Sequence, residues 1–257
     1  MGSAEENSVA EPEPARGTLG TVRNASTLLD LLSDGPAYQQ LSDLAERSGL
    51  SLPTVHRLLR SLVAAGLVEQ DPVSSRYSLG PELVRLSERY LDRLPLLQRL
   101  RPYLVDLRNR TSATVIVAML VRDMVVNVER IDGVEAAATV QRTARSSPAH
   151  HTAAGRLLLG RAGPAAWKQY LDGGPHDPPS VTTLEGWADA EMLHGTVEGL
   201  RSHTEVAVPI VRPDGSAAAA LVATGGPPTF TRDHLVDEIG PELQQTAALM
   251  RRLVAGD

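Results

Sequence analysis

Residues 41–80 read LSDLAERSGLSLPTVHRLLRSLVAAGLVEQDPVSSRYSLG, and the order of local elements is legible within them. Leu41, Leu44 and Ala45 recur at helical spacing, and Gly49 stands where a left-handed residue ends a helix. A second helix follows almost at once. Ser51 is its expected N-cap, and Pro53 is tolerated in its first turn. Val55, Leu58, Leu59, Leu62 and Val63 then form one apolar stripe, and Gly66 closes the helix. LVEQD and RYSLG are short strand patterns around a turn at DPVSS. Two helices joined by Ser48-Gly49-Leu50 and followed by a hairpin make a winged helix-turn-helix.

Upstream, Val22, Ala25, Leu28, Leu29 and Leu32 predict a helix from Thr21 that stops at Asp34-Gly35-Pro36. Residues 1–19 are acidic and rich in Glu, Pro, Ala and Gly, the composition of a disordered tail. Downstream, Pro81 opens the helical run PELVRLSERYLDRL, which ends near Leu94-Pro95. A helix over about Leu96–Arg110 follows. ATVIVAML and MVVNVERI have the pattern of buried strands, with AAATVQ as a third. Helices are expected near Ala153–Ala162 and Pro164–Leu171, with a loop at GGPHDPPS. Residues 188–201 carry a helical pattern broken by glycine. TEVAVPIV and SAAAALVAT flank RPDG as a hairpin, and a helix from about Arg232 to Val254 closes the chain. The fold class expected is α+β, divided as 1–19, 20–82, 83–95 and 96–257.

Composition removes several chemistries. The 257 residues include no cysteine, which excludes disulfides, thiolate nucleophiles, iron–sulfur clusters and cysteine zinc sites. Aromatics make up 3%, with Phe230 the single phenylalanine, so a base-stacking platform for RNA or single strands is not expected. No apolar run is long enough to span a bilayer, and the first residues lack the pattern of a secretory signal. The expected location is the cytoplasm. The net charge of −6 argues at first against nucleic acid. Even the winged-helix region, residues 20–82, carries five arginines against seven acids. The placement of those arginines therefore matters more than their sum.

On the third helix, the arc opposite the apolar stripe holds Pro53, Thr54, His56, Arg57, Arg60 and Ser61. Two arginines, a histidine and two hydroxyls on one face match base edges and phosphates of duplex DNA. Ser75 and Arg76 in the wing are placed to reach the adjacent backbone or minor groove. Arg23, read as lying at the start of the first helix, adds its charge to the positive helix end at a phosphate. A polar helix face is ordinarily just solvated. Here the hairpin and the tight joint between the two helices favour DNA. Catalysis finds no support: there is no G-x-S-x-G elbow and no dinucleotide-type glycine pattern. His150 and His151 are adjacent on a loop and diverge, with no third ligand at helical spacing. No enzyme activity, cofactor or metal is expected.

Residues 41–86, from LSDLAERSGL through GPELVRL, resemble the DNA-binding domain of IclR-type transcriptional regulators. SPAHHTAAGRLLLG, residues 147–160, resembles that family's Pro-x-His-x-Thr-Ala-Ala-Gly-Lys stretch, with Arg156 in the lysine place. EVAVPIVRPDGSAAAALVATGGP, residues 205–227, is similar to its last hairpin. The resemblance covers about residues 21–254. It implies a winged helix, a linker helix and a C-terminal domain similar to GAF domains, with an antiparallel or mixed sheet flanked by helices. It implies a repressor or activator that binds double-stranded operators as a homodimer or a dimer of dimers. It also implies a small effector, often an organic or aromatic acid. Carried over by residue, that effector lies between Ala149, His150, Ala153 and Ala154 on one side and Val222 and Thr224 on the other. Backbone N–H groups near Thr152–Gly155, at a helix start, would form an anion site. The chain departs from the family before the penultimate strand, where the segment is short. The nearest polar residues there are Ser202, His203 and Glu205, and Val222 is apolar where some relatives carry a hydroxyl. Two readings stay open: a metabolite-responsive regulator, or one whose C-terminal domain holds no ligand and serves oligomerisation or protein contacts.

Overall fold

A computed structural model describes residues 16–134, 145–173, 177–197 and 203–254. The chain divides into two compact units, with the boundary between Tyr90 and Leu91. The first contains α1 (Arg16–Asp34), α2 (Leu41–Ser48), α3 (Leu52–Ala64), β1 (Val68–Gln70) and β2 (Tyr77–Leu79). α4 (Glu82–Asp92) runs across the boundary.

The core of this unit collects Leu28 and Leu32 from α1, Leu44 from α2, and Val55, Leu58, Leu59 and Leu62 from α3. Val68 and Tyr77 of the hairpin complete it. Gly49 ends α2 with φ at 66°, the left-handed conformation that costs glycine nothing. A buried Gln39 ties the hairpin to the helices. Its backbone exchanges hydrogen bonds with Tyr77, and its side-chain amide donates to the Leu31 carbonyl at 2.8 Å. Arg47 donates to the Gln39 amide oxygen at 2.6 Å, so this arginine serves the fold.

Several expectations change here. α1 begins at Arg16, ahead of Thr21, so residues 16–19 are helical; residues 1–15 lie outside the described residues. Each further helical residue adds a backbone hydrogen bond at little cost once the helix is nucleated. Val22 is 72% exposed and Val63 37% exposed, although both fit the apolar stripes. Each stripe is wider than the surface its neighbours cover, and these two residues stand at its edge.

The second unit opens with α5 (Pro95–Thr111) and is built on a six-stranded, wholly antiparallel sheet. Its strands are β3 (Thr114–Val121), β4 (Met124–Ile131), β5 (Ser146–Pro148), β6 (Leu193–Val197), β7 (His203–Val211) and β8 (Ala217–Gly225). They lie in the order β5-β4-β3-β8-β7-β6. After β5 a short 3-10 turn (Ala149–His151) leads into α6 (Ala153–Arg161), α7 (Pro164–Asp172) and α8 (Val181–Asp189). A π-helical turn (His234–Ile239) starts the last helix, α9 (Gly240–Val254).

Alternation along the strands separates two cores. Val115, Val117, Val206, Val208, Leu221 and Ala223 face α5 and α9. Ile116, Ala118, Ala207, Ala220 and Val222 face α6, against Ala153, Ala154, Leu157 and Leu158. The helical pattern read over residues 188–201 does not hold for residues 190–197, and residues 198–201 lie outside the described residues. The helix stops at Asp189, and Leu193–Val197 form edge strand β6 paired with β7. Pairing to a sheet edge overrides helical periodicity in so short a segment. The expected strand at AAATVQ, residues 136–141, lies outside the described residues. Among the described residues no helix is long and apolar enough to cross a membrane.

Candidate functional site

The first candidate surface is the outer face of α3. Pro53, His56, Arg57, Arg60 and Ser61 are exposed, and Thr54 is half-buried at the helix start. Burying Val55, Leu58, Leu59 and Leu62 fixes the helix rotation and so turns the arginines outward. No hydrogen bond or ion pair with a described residue holds the Arg57 or Arg60 guanidinium. The two hydroxyls already have local partners. Thr54 Oγ1 lies 2.8 Å from Ser51 Oγ, and Ser61 Oγ donates to the Arg57 carbonyl at 3.1 Å. Ser51 holds the N-cap position, but its side chain accepts no backbone N–H of the helix.

The wing is fixed by Asp71. Its Oδ1 accepts the amides of Val73 at 2.7 Å and Ser74 at 2.9 Å. The Ser74 amide first, and then that of Val73, hold its carboxyl below the ordinary range. Ser75 adopts a positive φ of 57°, and Arg76 follows it, exposed. Arg23 is exposed but sits well inside α1, because the helix starts at Arg16. It therefore has no helix-end field to add to its charge.

The second candidate surface lies between the start of α6 and the sheet. β8 turns Val222 and Thr224 toward α6, and β7 turns His203, Glu205 and Ala207 the same way. Ala149, Ala153, Ala154 and Gly155 are buried opposite, with His150 half-buried beside them. The two sides named from the sequence are thus brought together. Ser202 lies outside the described residues. The anion site expected at the helix start is not open. Thr152 caps α6, its Oγ1 accepting the Gly155 amide at 3.0 Å. The Ala153 amide donates to Oε1 of Glu205. Thr224 Oγ1 donates to the Thr204 carbonyl at 2.8 Å, and His150 Nδ1 bonds the Tyr170 hydroxyl. Among the described residues no three potential metal ligands stand together.

Glu205 is not among the effector residues that the resemblance carries over, and it is one of the polar residues nearest the start of the penultimate strand. Its sequence signal is an acid on the face of β7 that goes on through Ala207 and Pro209, next to the apolar run Val206–Val211. It is 6% exposed. Burial pushes its carboxyl up to about 6, against the Ala153 amide, the Arg156 charge and the Ala154 amide, which all favour the ionised form. The gap from the ordinary 4.5 corresponds to about 2 kcal/mol. The native state binds the proton more tightly than the unfolded chain does. Stability from this group is therefore full below pH 4.5 and falls as pH rises to about 6. Subtracting the pH–stability curve of Glu205→Gln from that of the wild type should show this decline of about 2 kcal/mol. Urea unfolding at stepped pH measures it, and parallel curves would contradict the burial.

Comparison with known proteins covers both parts of the chain. The family model of the IclR helix-turn-helix domain matches residues 21–72. That of the bacterial transcriptional regulator IclR C-terminal region matches residues 88–251. The glycerol operon regulatory protein of Streptomyces coelicolor is 31% identical over 92% of this chain and 95% of its own length. The HTH-type transcriptional regulator XynR of Escherichia coli is 31% identical over 64% of this chain, and the match spans 65% of XynR. Among solved structures, an IclR family transcriptional regulator from Brucella abortus superposes with a TM-score of 0.78. It is 23% identical and covers 97% of each chain. An IclR homologue from Microbacterium hydrocarbonoxydans, solved as a complex with 4-hydroxybenzoate, gives a TM-score of 0.59 at 24% identity over 90% of this chain and 98% of its own. With its helix-turn-helix and its C-terminal domain both matched, in that order along the sequence, this chain belongs to the IclR family of bacterial transcriptional regulators.

Proposed function

We propose that this protein binds a palindromic operator as a dimer in the cytoplasm, and that a small metabolite held in the C-terminal domain alters that binding. Residues 20–82 form the DNA-binding domain, 83–95 the linker helix, and 96–257 the effector and oligomerisation domain. The observation that carries the reading is the outward face of α3, where His56, Arg57 and Arg60 stand exposed together. α3 enters the major groove with Pro53, Thr54 and Ser61 beside these three, while Ser75, Arg76 and Arg23 contact the backbone. The effector lies among Ala149, His150, Thr152, Ala153, Ala154, Gly155, His203, Val222 and Thr224. The complex of the Microbacterium homologue with 4-hydroxybenzoate supports a small-molecule effector. Gel retardation of genomic fragments tests operator binding. Selected fragments should be shifted at low salt and released steeply as salt rises. A protein that retards no fragment at low salt would end the proposal.

The dimer is proposed to form through α4. Val84, Leu86 and Tyr90 are exposed on this helix. With Leu83 they lie on one arc, while Glu82, Arg85, Glu88, Arg89 and Asp92 occupy the other. A second copy covering this arc places two recognition helices about 34 Å apart, one turn of DNA. Leu86→Glu combined with Tyr90→Glu should convert dimers to monomers in sedimentation and weaken operator binding by more than about tenfold. A variant that stays dimeric would place the interface elsewhere.

A further inference from the structure

We propose that Glu205 is a built-in occupant of the anion seat at the start of α6, and that it confines the effector site to neutral, hydroxyl-bearing molecules by excluding carboxylates. The proposal rests on the effector location given above. Its geometry is local. Glu205 lies on β7 directly opposite Gly195 of β6 and Thr224 of β8. Its Oε1 takes the Ala153 amide, while Thr152 takes that of Gly155. The donors that would receive a ligand's carboxylate are therefore already engaged by this chain's own side chains.

The charges around Glu205 point the same way. Arg156 does not form an ion pair with it. The Arg156 Nε donates to the His150 carbonyl at 2.8 Å, and the guanidinium lies 5.8 Å from the centre of the Trp187 ring. Arg156 acts on Glu205 through its charge without closing to an ion pair, so a carboxylate ligand would still meet a buried negative charge, and like charges repel strongly where water is scarce. A hydroxyl group has no such conflict, because it can donate to a carboxylate oxygen and accept from an arginine. Gly195 contributes no side chain opposite Glu205, and the place its Cβ would take is 3.7 Å from an Arg156 terminal nitrogen. Carboxylate and guanidinium thus flank one small-residue position.

Glycerate and glycerol test this, since they differ only in a carboxylate against a hydroxymethyl group. Calorimetry at pH 8 compares full-length wild type with Glu205→Ala. Removing the side chain vacates the Ala153 amide, so glycerate should bind the variant at least tenfold more tightly than the wild type. Glycerol should show no such gain. Equal glycerate affinity in the two proteins overturns the proposal. Glu205→Ser, which keeps a small polar group, replaces the alanine variant if that one does not fold, with the same expectation. Operator retardation by the unliganded wild type, run in parallel, reports separately on the DNA-binding function.

Discussion

Alanine at Arg57 or Arg60 should cost about 1–3 kcal/mol of operator affinity if either arginine reads a guanine, or about 5- to 150-fold each. The reason is geometric. A guanidinium donates two parallel hydrogen bonds to guanine O6 and N7, and alanine offers none. Both side chains are exposed, and no described partner depends on them, so the variants should fold as the wild type does. Arg76→Ala in the wing provides the contrast. A phosphate contact carries no sequence information, so its loss should weaken all duplexes alike and reduce the salt slope by about one. Fluorescence anisotropy on operator and scrambled duplexes separates the two behaviours. Unchanged operator affinity in both Arg57→Ala and Arg60→Ala would show that the face is merely solvated. The acidic balance of residues 20–82 should lower the affinity for the scrambled duplex and so sharpen this contrast.

Gly155→Ala should destabilise the second unit by about 3 kcal/mol, against the usual helix preference. In an isolated helix alanine is better than glycine by about 1 kcal/mol. Here a Cβ on Gly155 would fall well inside van der Waals contact with the backbone of Ala149, at its carbonyl oxygen, carbon and Cα. Backbone cannot turn aside as a side chain can. Either α6 shifts away from the 3-10 turn or the turn opens. Both moves also disturb the Thr152 cap and the Glu205 contact with Ala153. A fall in melting temperature of roughly 6–12 °C is expected for a unit of this size. Calorimetric scans measure it. A rise in melting temperature would mean that α6 does not pack on the turn as described.

The two results bear on different links between sequence and function. The outward face of α3 was legible because it depends on local periodicity. Once Val55, Leu58, Leu59 and Leu62 are buried, the rotation of α3 is fixed and Arg57 and Arg60 must face out. The hairpin was legible for the same kind of reason, since Asp71 and its following residues carry their own turn chemistry. The candidate effector residues were named only through resemblance. Sequence spacing placed Thr152–Gly155 at a helix start but could not say which group fills its donors. Glu205 is 52 residues from Ala153, so their contact appears only when β7 is placed against α6.

What the sequence by itself determined is the winged helix, its outward arginines, the strands β3 and β4, the hairpin β7–β8, and the family. Each follows from local periodicity, from turn residues, or from motifs whose order is preserved along the chain. Tertiary structure decided the rest. It made Leu193–Val197 a strand, because the open edge of β7 offered hydrogen bonds that local preference did not anticipate. It left Val22 and Val63 exposed, because the packing partners cover less surface than the periodicity offers. It also filled the expected anion site with Glu205, because a helix start satisfies its donors with whichever acceptor the fold brings within reach.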